Sequence, residues 1–261
     1  MDADTPPHQS VELPGIAPTL EEESTLLTVT VINCGRGGLH FEPHRFSDYL
    51  RSIGDPDIVV FTETHLRPAS APTLDQYAFL WEPRSPNRLQ GNSSGGVAFA
   101  VSRESASIKR AEVIHAHTNS DIVWLQVSLS TSPVVVHVAG VYLPPEGGNR
   151  VCHGNCIVHL CKKAHVDEAI ANLSIDIQRY NQLGPVIVAG DFNVRAQDST
   201  YPRWIAVQQS IITPRQLALL NPLLPDGSLQ PTRFDPPTRT QSVLDLVMWT
   251  GSQQRASCVI D

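Results

Sequence analysis

Residues 185–193 read Pro-Val-Ile-Val-Ala-Gly-Asp-Phe-Asn, and this stretch decides the fold. A short apolar, mostly β-branched run sits between a proline and a glycine, as in a buried strand. Such a strand delivers its polar residues at the end, where the backbone leaves the core. Gly190 lets the backbone turn or approach a neighbour closely. Asp191 has the chemistry to hold a hard cation or to take a proton from water. Asn193, two residues on, shares its side and carries an amide able to donate to a phosphate oxygen. Taken alone, the stretch reads better as a strand closing in an Asx turn. It gains weight because other strands of the chain also end in isolated polar groups.

Upstream, residues 27–34 (LTVTVINC) form an expected strand that ends in Asn33, just before Gly35, Gly37 and Gly38. Residues 43–54 have a helical stripe of Phe46, Tyr49, Leu50 and Ile53, with Pro43 near the start and Gly54 near the stop. Residues 57–61 (DIVVF) run directly into Thr62-Glu63-Thr64-His65. A carboxylate at the mouth of an apolar strand needs a partner, so Glu63 is a candidate ligand for Mg²⁺, which prefers oxygen donors. Imidazole suits that ion poorly, which leaves His65 as a loop residue. Further strands are expected at 77–81, 95–101, 108–114, 122–129 and 134–142. The last of these ends in Tyr142, whose hydroxyl can face a cleft, and His137 within it reads as a core histidine.

Downstream, residues 166–180 form an expected helix, with Val166, Ile170, Leu173, Ile177 and Tyr180 on one stripe. Weak helical patterns follow at 205–210 and 214–220. A strand is then expected over 241–248 with Asp245 inside it, an anomaly because a carboxylate there must find partners.

The 261 residues carry a formal charge of −7. Residues 1–26 contain six acids and no Lys or Arg, and setting them aside leaves −1 for 27–261. A near-neutral sum is compatible with an acidic cleft rimmed by arginines, so charge does not exclude a nucleic-acid partner. Residues 1–26 are acidic, Pro-rich and without periodicity, and are expected to be a disordered tail. No apolar run is long enough to span a membrane, and the N-terminus has no basic-then-apolar signal sequence. The five cysteines are an odd number, which argues against a disulfide framework. Cys152, Cys156 and Cys161 cluster with His153, His159 and His165 in a Cys/His-rich insertion at 146–165. Cys152, Cys156, Cys161 and His165 are therefore candidate ligands for a structural Zn²⁺, with His153 or His159 as substitutes.

Six motifs occur in order: Asn33, Thr62-Glu63-Thr64-His65-Leu66, Ser94-Gly95-Gly96-Val97, Tyr142-Leu143-Pro144-Pro145, Gly190-Asp191-Phe192-Asn193 and Ser242-Val243-Leu244-Asp245. Their order and spacing resemble the endonuclease/exonuclease/phosphatase superfamily, and within it the apurinic-endonuclease-like domain of LINE-type non-LTR retrotransposons. The resemblance covers 27–261. It implies a DNase-I-like α/β (α+β) fold, a two-sheet sandwich flanked by helices, with its site where strand ends converge. It also implies roles. Glu63 would hold Mg²⁺ or Mn²⁺ with Asn33 close by, and Asp191 would orient or deprotonate the attacking water. Asn193 and Tyr142 would contact the scissile phosphate. Asp245, supported by Ser242, would fix the remaining catalytic group, and Thr232 matches a family threonine near the scissile strand.

The implied activity is metal-dependent phosphodiester hydrolysis on DNA. Nicking would leave a 3′-hydroxyl that a downstream reverse transcriptase domain of the same polyprotein could extend, in the nucleus if the target is chromosomal. The family ends in a Ser-Asp-His run, whereas the last histidine here is His165. A domain incomplete at its C-terminus and lacking its last strand is thus expected. Two other readings stay open. One is a phosphatase or RNA exonuclease of the same superfamily. The other is a catalytically dead nucleic-acid-binding remnant.

Overall fold

Two sheets packed face to face, with helices outside each, organise the computed structural model. It describes residues 9–13, 27–35, 43–66, 73–74, 76–81, 96–117, 121–145, 159–196, 198–221, 223–230, 232–235, 240–242 and 245–251. The elements run β1 (Ser10–Glu12), β2 (Val29–Asn33), α1 (Pro43–Ser52), β3 (Ile58–Thr62), β4 (Tyr77–Trp81) and β5 (Val97–Ser102). They continue as β6 (Ile108–Ala116), β7 (Asp121–Leu129), β8 (Val135–Tyr142), α2 (His159–Asn181) and β9 (Val186–Asp191). Next, α3 (Pro202–Val207) passes through a π-helical turn, Gln208–Ile212, into α4 (Thr213–Arg215). Four short strands complete the order: β10 (Ala218–Leu219), β11 (Arg233–Asp235), β12 (Thr240–Ser242) and β13 (Asp245–Trp249).

The larger sheet has the order β1-β6-β7-β8-β9-β13-β10 and the smaller one β2-β3-β5-β4, while β11 and β12 form a separate hairpin. Two pairings are parallel, β2 with β3 and β8 with β9; β13 runs antiparallel to β9. These directions bring the C-terminal ends of β2, β3, β8 and β9 and the N-terminal end of β13 to one rim of the sandwich.

Period-two side-chain direction explains the layers. In β3 every residue is buried, because Ile58 and Val60 face the space between the sheets while Val59 and Phe61 face α1. Leu125, Val138, Ala189 and Val247 of the larger sheet close the inner core. On that sheet's outer face, Trp124, Ala139, Val141 and Val188 pack under α2. The expected stripe supplies the helix contacts through Val166, Ile170, Leu173 and Ile177. Each such buried aliphatic side chain contributes about 1.5–3 kcal/mol of transfer free energy.

Four expectations need correction. Residues 9–13 do not belong to a disordered tail: β1 pairs with β6, the Val113 N–H donates to the Gln9 carbonyl at 2.9 Å, and Leu13 is buried. A three-residue edge strand carries too little pattern to be read alone; its partner creates it. The helix expected from 166 begins at His159, so Cys161 and His165 lie on α2 and not in a loop. Asp245 is the first residue of β13 and not interior to a longer strand, because 240–242 pair with β11 instead of β9. Finally, 218–219 pair with β13 as β10, after Gln216 ends the helical run in a left-handed conformation. Cys152 and Cys156 lie outside the described residues, as does the side chain of Cys161.

His137 is a core histidine, as expected. It is 1 % exposed, and its ring stacks on Tyr180 with centroids 5.0 Å apart. Burial lowers its pKa from the ordinary 6.5. The unfolded chain therefore binds more protons than the native one between the lowered value and about 6.5, so stability rises with pH through that window. Urea midpoints measured from pH 5 to 8 should climb and then level off, and His137→Phe should flatten the climb. An equally steep profile in that variant would move the effect to another group.

Candidate active site

The rim where the strand ends meet carries a linked set of polar side chains, and the two sheets supply them alternately. Asn33 closes β2, and its amide donates to Asp191 Oδ2 at the end of β9, 2.8 Å away. Tyr142 closes β8, and its hydroxyl donates to Glu63 Oε1, just beyond β3, at 3.2 Å. Both bonds cross from one sheet to the other, so the constellation exists only when the sandwich is assembled. Ligand sites of open α/β sheets lie outside the carboxyl ends of strands in this way.

Asp191 is almost fully buried and is met by donors. Its Oδ1 accepts the Asn193 backbone N–H at 2.8 Å. Its Oδ2 accepts the Asn33 amide and, at 3.0 Å, the Asn193 amide. Three N–H donors match an ionised carboxylate. The second Asn193 amide hydrogen goes to the Leu143 carbonyl at 2.8 Å. With both hydrogens committed, Asn193 in this geometry holds Asp191 in place instead of reaching out to phosphate. Backbone conformation reinforces the arrangement: Glu63, His65 and Asn193 have φ of 52°, 52° and 46°. Left-handed conformations at non-glycine residues are sparsely populated, and they collect at functional sites.

Tyr142 is 3 % exposed, and its hydroxyl is pushed well above the ordinary tyrosine range. Burial is the main cause, followed by the charges of Glu63 and Asp191, the bond to Glu63 and the charge of Asp121. The hydroxyl thus stays a proton donor at any physiological pH. The same influences place both carboxylates within electrostatic reach of one phenol. Asp121 is buried at the start of β7, directly opposite Tyr142 in the ladder. Burial, then the Glu63 charge, likewise pushes the Cys34 thiol up.

Asp245 faces Asp191 across the β9–β13 ladder. Its backbone N–H donates to Thr232 Oγ1 at 3.1 Å, so Thr232 supports the residue that the sequence pairs with Ser242. The Ser242 side chain lies outside the described residues. Glu63, Asn33, Tyr142, Asp191, Asn193 and Asp245 are therefore all brought to one rim, with Thr232 beside Asp245. Cys152, Cys156 and the Cys161 side chain cannot be placed with them, and His165 sits on α2 with its Nδ1 3.8 Å from Glu168 Oε2.

Three supporting residues were not foreseen. Arg203 in α3 is buried and donates to the Pro144 carbonyl at 2.8 Å and to those of Phe192 and Asn193 at 3.4 Å. It ties the loop after β8 to the loop after β9. Asn221 brackets the start of β13, donating to the Asp245 carbonyl at 2.8 Å and accepting the Val247 N–H at 2.9 Å. Asp121 completes the group. Nothing local in sequence marks these roles: Arg203 and Asn221 depend on backbone atoms from other segments, and Asp121 acts through its charge on Tyr142 of the neighbouring strand.

The residues suit a hard divalent cation. Glu63 and the Asn33 carbonyl offer oxygen only, Glu63 is half-buried, and Asn33 remains exposed at the rim. Asn33 Oδ1 accepts the Gly35 N–H at 2.8 Å, which fixes its orientation.

Fold and rim together define an α/β phosphoesterase scaffold of two packed sheets with an acidic, amide-rich site at their shared edge. The chain belongs to the Endonuclease/Exonuclease/phosphatase family, whose sequence profile matches residues 32–260. Solved structures agree on the fold. The AP endonuclease LMAP from Leishmania major superposes with a TM-score of 0.63 at 14 % identity, over 91 % of this chain and 84 % of that one. A 3′ phosphatase from Neisseria bound to product DNA hairpin gives 0.57 at 16 % identity, over 85 % and 86 %. The endonuclease domain of TRAS1, a telomere-specific non-LTR retrotransposon, gives 0.51 at 16 % identity, over 84 % and 83 %. No curated protein matches the sequence. Among the described residues, no helix is long and apolar enough to cross a membrane.

Proposed function

We propose that the protein is a Mg²⁺- or Mn²⁺-dependent phosphodiesterase that nicks DNA, of the kind carried by non-LTR retrotransposons. The observation that carries this reading is the pair of inter-sheet hydrogen bonds, Asn33 to Asp191 and Tyr142 to Glu63, at one rim. They set a donor-held carboxylate beside an oxygen-only cation site. When bound by Glu63 and Asn33, the cation would neutralise charge on the phosphate and on the leaving oxygen.

The chain's own groups do the rest. Asp191, fixed by Asn33 and Asn193, orients a water and takes its proton as the water oxygen bonds to phosphorus. The bond from phosphorus to the 3′-oxygen breaks, and that oxygen takes a proton from solvent to leave as a hydroxyl, while Asp191 returns its proton to solvent. Tyr142, held protonated by its surroundings, gives its one hydroxyl hydrogen to Glu63 in this structure, and would turn it to a phosphate oxygen only once Glu63 is taken up by the cation. Asp245, placed by Thr232 and Asn221, adds a second carboxylate opposite Asp191. The nick ends in a 3′-hydroxyl and a 5′-phosphate. That end is the primer a reverse transcriptase requires, so such a domain in the same polyprotein is the natural partner, in the nucleus for a chromosomal target. A structural Zn²⁺ held by Cys152, Cys156, Cys161 and His165 is a separate proposal, open to metal analysis of the purified protein.

A supercoiled-plasmid nicking assay tests the reading. Open circles should form with Mg²⁺ and not with EDTA, and Glu63→Ala should slow them by about 10²–10³-fold at fixed Mg²⁺. Plasmid left intact while a 3′-phosphorylated oligonucleotide or a polyadenylated RNA is consumed would replace DNA nicking by the phosphatase or RNA exonuclease reading. DNA binding without turnover on any of these substrates would leave a binding protein.

A further inference from the structure

A second cluster of metal-ligating side chains lies on the outer face of the larger sheet. His115 and His117 come from the end of β6 and the residue after it, and Asp176 from the C-terminal third of α2. One donor atom from each lies within 4.8 Å of the others. His117 Nε2 is 2.6 Å from Asp176 Oδ2, and the His115 and His117 rings meet edge to face at 4.6 Å between centroids. We propose that His115, His117 and Asp176 form a binding site for Zn²⁺, distinct from the rim, that staples α2 to the sheet.

A backbone irregularity builds the site. Ala111 and Val113 of β6 face the inner core between the sheets, and strict alternation would send residue 115 there too. The β6–β7 register shifts between Val113 and His115. Such a bulge inserts one residue and re-aims the side chains beyond it. Ile114 packs toward the α2 layer and Ala116 toward the inner core, so His115 and His117 both turn to α2. Two imidazoles thereby meet one carboxylate from another element.

The chemistry matches zinc. Two imidazoles and a carboxylate are a common three-residue set for Zn²⁺, with water in the fourth position. Both histidines are half-buried, which leaves that position open to solvent. Asp176 is buried, and the Trp124 indole N–H donates to the same Oδ2 at 3.0 Å. A donor that meets a ligating carboxylate from outside the metal site orients it. Bonds of about 2.0–2.1 Å to a tetrahedral ion put donor atoms about 3.3 Å apart, so the His117–Asp176 pair must open by only about 0.7 Å. The nearby Arg179 guanidinium is stacked over Tyr180, 5.5 Å from the ring centroid. Asp191 of the rim is on β9, three strands from β6, about 14 Å at ordinary spacing.

The experiment uses the full chain after chelator treatment, with Zn²⁺ and Co²⁺ as probes. His115→Gln is the deciding variant, because it removes a ligand and leaves the His117–Asp176 hydrogen bond intact. Wild type should bind Co²⁺ with visible bands of a low-coordinate nitrogen–oxygen site, should show quenched Trp124 fluorescence, and should melt several degrees higher with Zn²⁺. His115→Gln should melt like wild type without metal and lose both the Zn²⁺-dependent rise and the quenching, with affinity down about 10²-fold. Trp124→Phe should weaken binding about tenfold. Cys161→Ser and Glu63→Ala should keep the signal. An undiminished rise in His115→Gln, its loss in Cys161→Ser instead, or no metal-dependent change in wild type would overturn the proposal.

Discussion

Asp191→Asn should lower the single-turnover rate of DNA nicking by about 10³-fold at saturating Mg²⁺ and neutral pH, while leaving the protein folded. The substitution keeps the shape and removes the charge that accepts the proton of water. It also disturbs a carboxylate surrounded by donors. The Asn193 N–H approaches Oδ1, and the Asn33 and Asn193 amides approach Oδ2. An asparagine has one acceptor oxygen, so whichever way it turns, its own amide meets a donor. That mismatch should cost about 1–3 kcal/mol of stability. Additional Mg²⁺ should restore part of the rate to Glu63→Ala, whose lost group would bind the cation. It should restore none to Asp191→Asn, whose lost group would act on water. Nicking by Asp191→Asn within tenfold of wild type would remove Asp191 from the chemistry.

The rim was legible in sequence for a definite reason. Asn33, Tyr142 and Asp191 end apolar strands and Glu63 comes directly after one, and a polar residue where an apolar run stops marks where a buried strand surfaces. Parallel pairing of β2 with β3 and of β8 with β9 then makes those surfacing points coincide. The hidden residues depend on partners remote in the chain. Arg203 reads as an ordinary charged residue after a proline, yet it is buried because three carbonyls from two loops converge on it. Asn221 stands in for strand backbone beside Asp245, a role without a local pattern. The face that His115 presents turns on a bulge, and period-two alternation predicts the opposite one. Asn193 shows the limit of motif reading. It lies at the rim, but its two amide hydrogens are already committed to Asp191 and Leu143.

Gly190→Ala should destabilise the protein by about 3–5 kcal/mol, far more than glycine-to-alanine changes usually cost. Gly190 lies between two neighbours in the larger sheet, opposite Val141 of β8 and Leu246 of β13. Its φ is +150°, which side-chain-bearing residues rarely adopt, and an added Cβ would run into the Val141 carbonyl. That carbonyl belongs to a paired central strand and has nowhere to move. The strain adds to the collision, and both fall on the residue immediately before Asp191. Gly227 is the control. It also has positive φ, +81°, but an added Cβ meets nothing within 4 Å. It lies in an exposed turn where the Gly227 N–H donates to the Leu224 carbonyl at 2.8 Å. Gly227→Ala should therefore cost only the conformational term, about 1–2 kcal/mol. Urea unfolding followed by tryptophan fluorescence separates the two, provided the m-values agree. Nicking should persist in Gly227→Ala and fall in Gly190→Ala even at temperatures where that variant is folded, because β9 must shift to admit the methyl group and would carry Asp191 away from Asn33. Equal destabilisation by the two substitutions would show that conformational strain alone, and not the close approach to β8, makes glycine necessary at the head of the site.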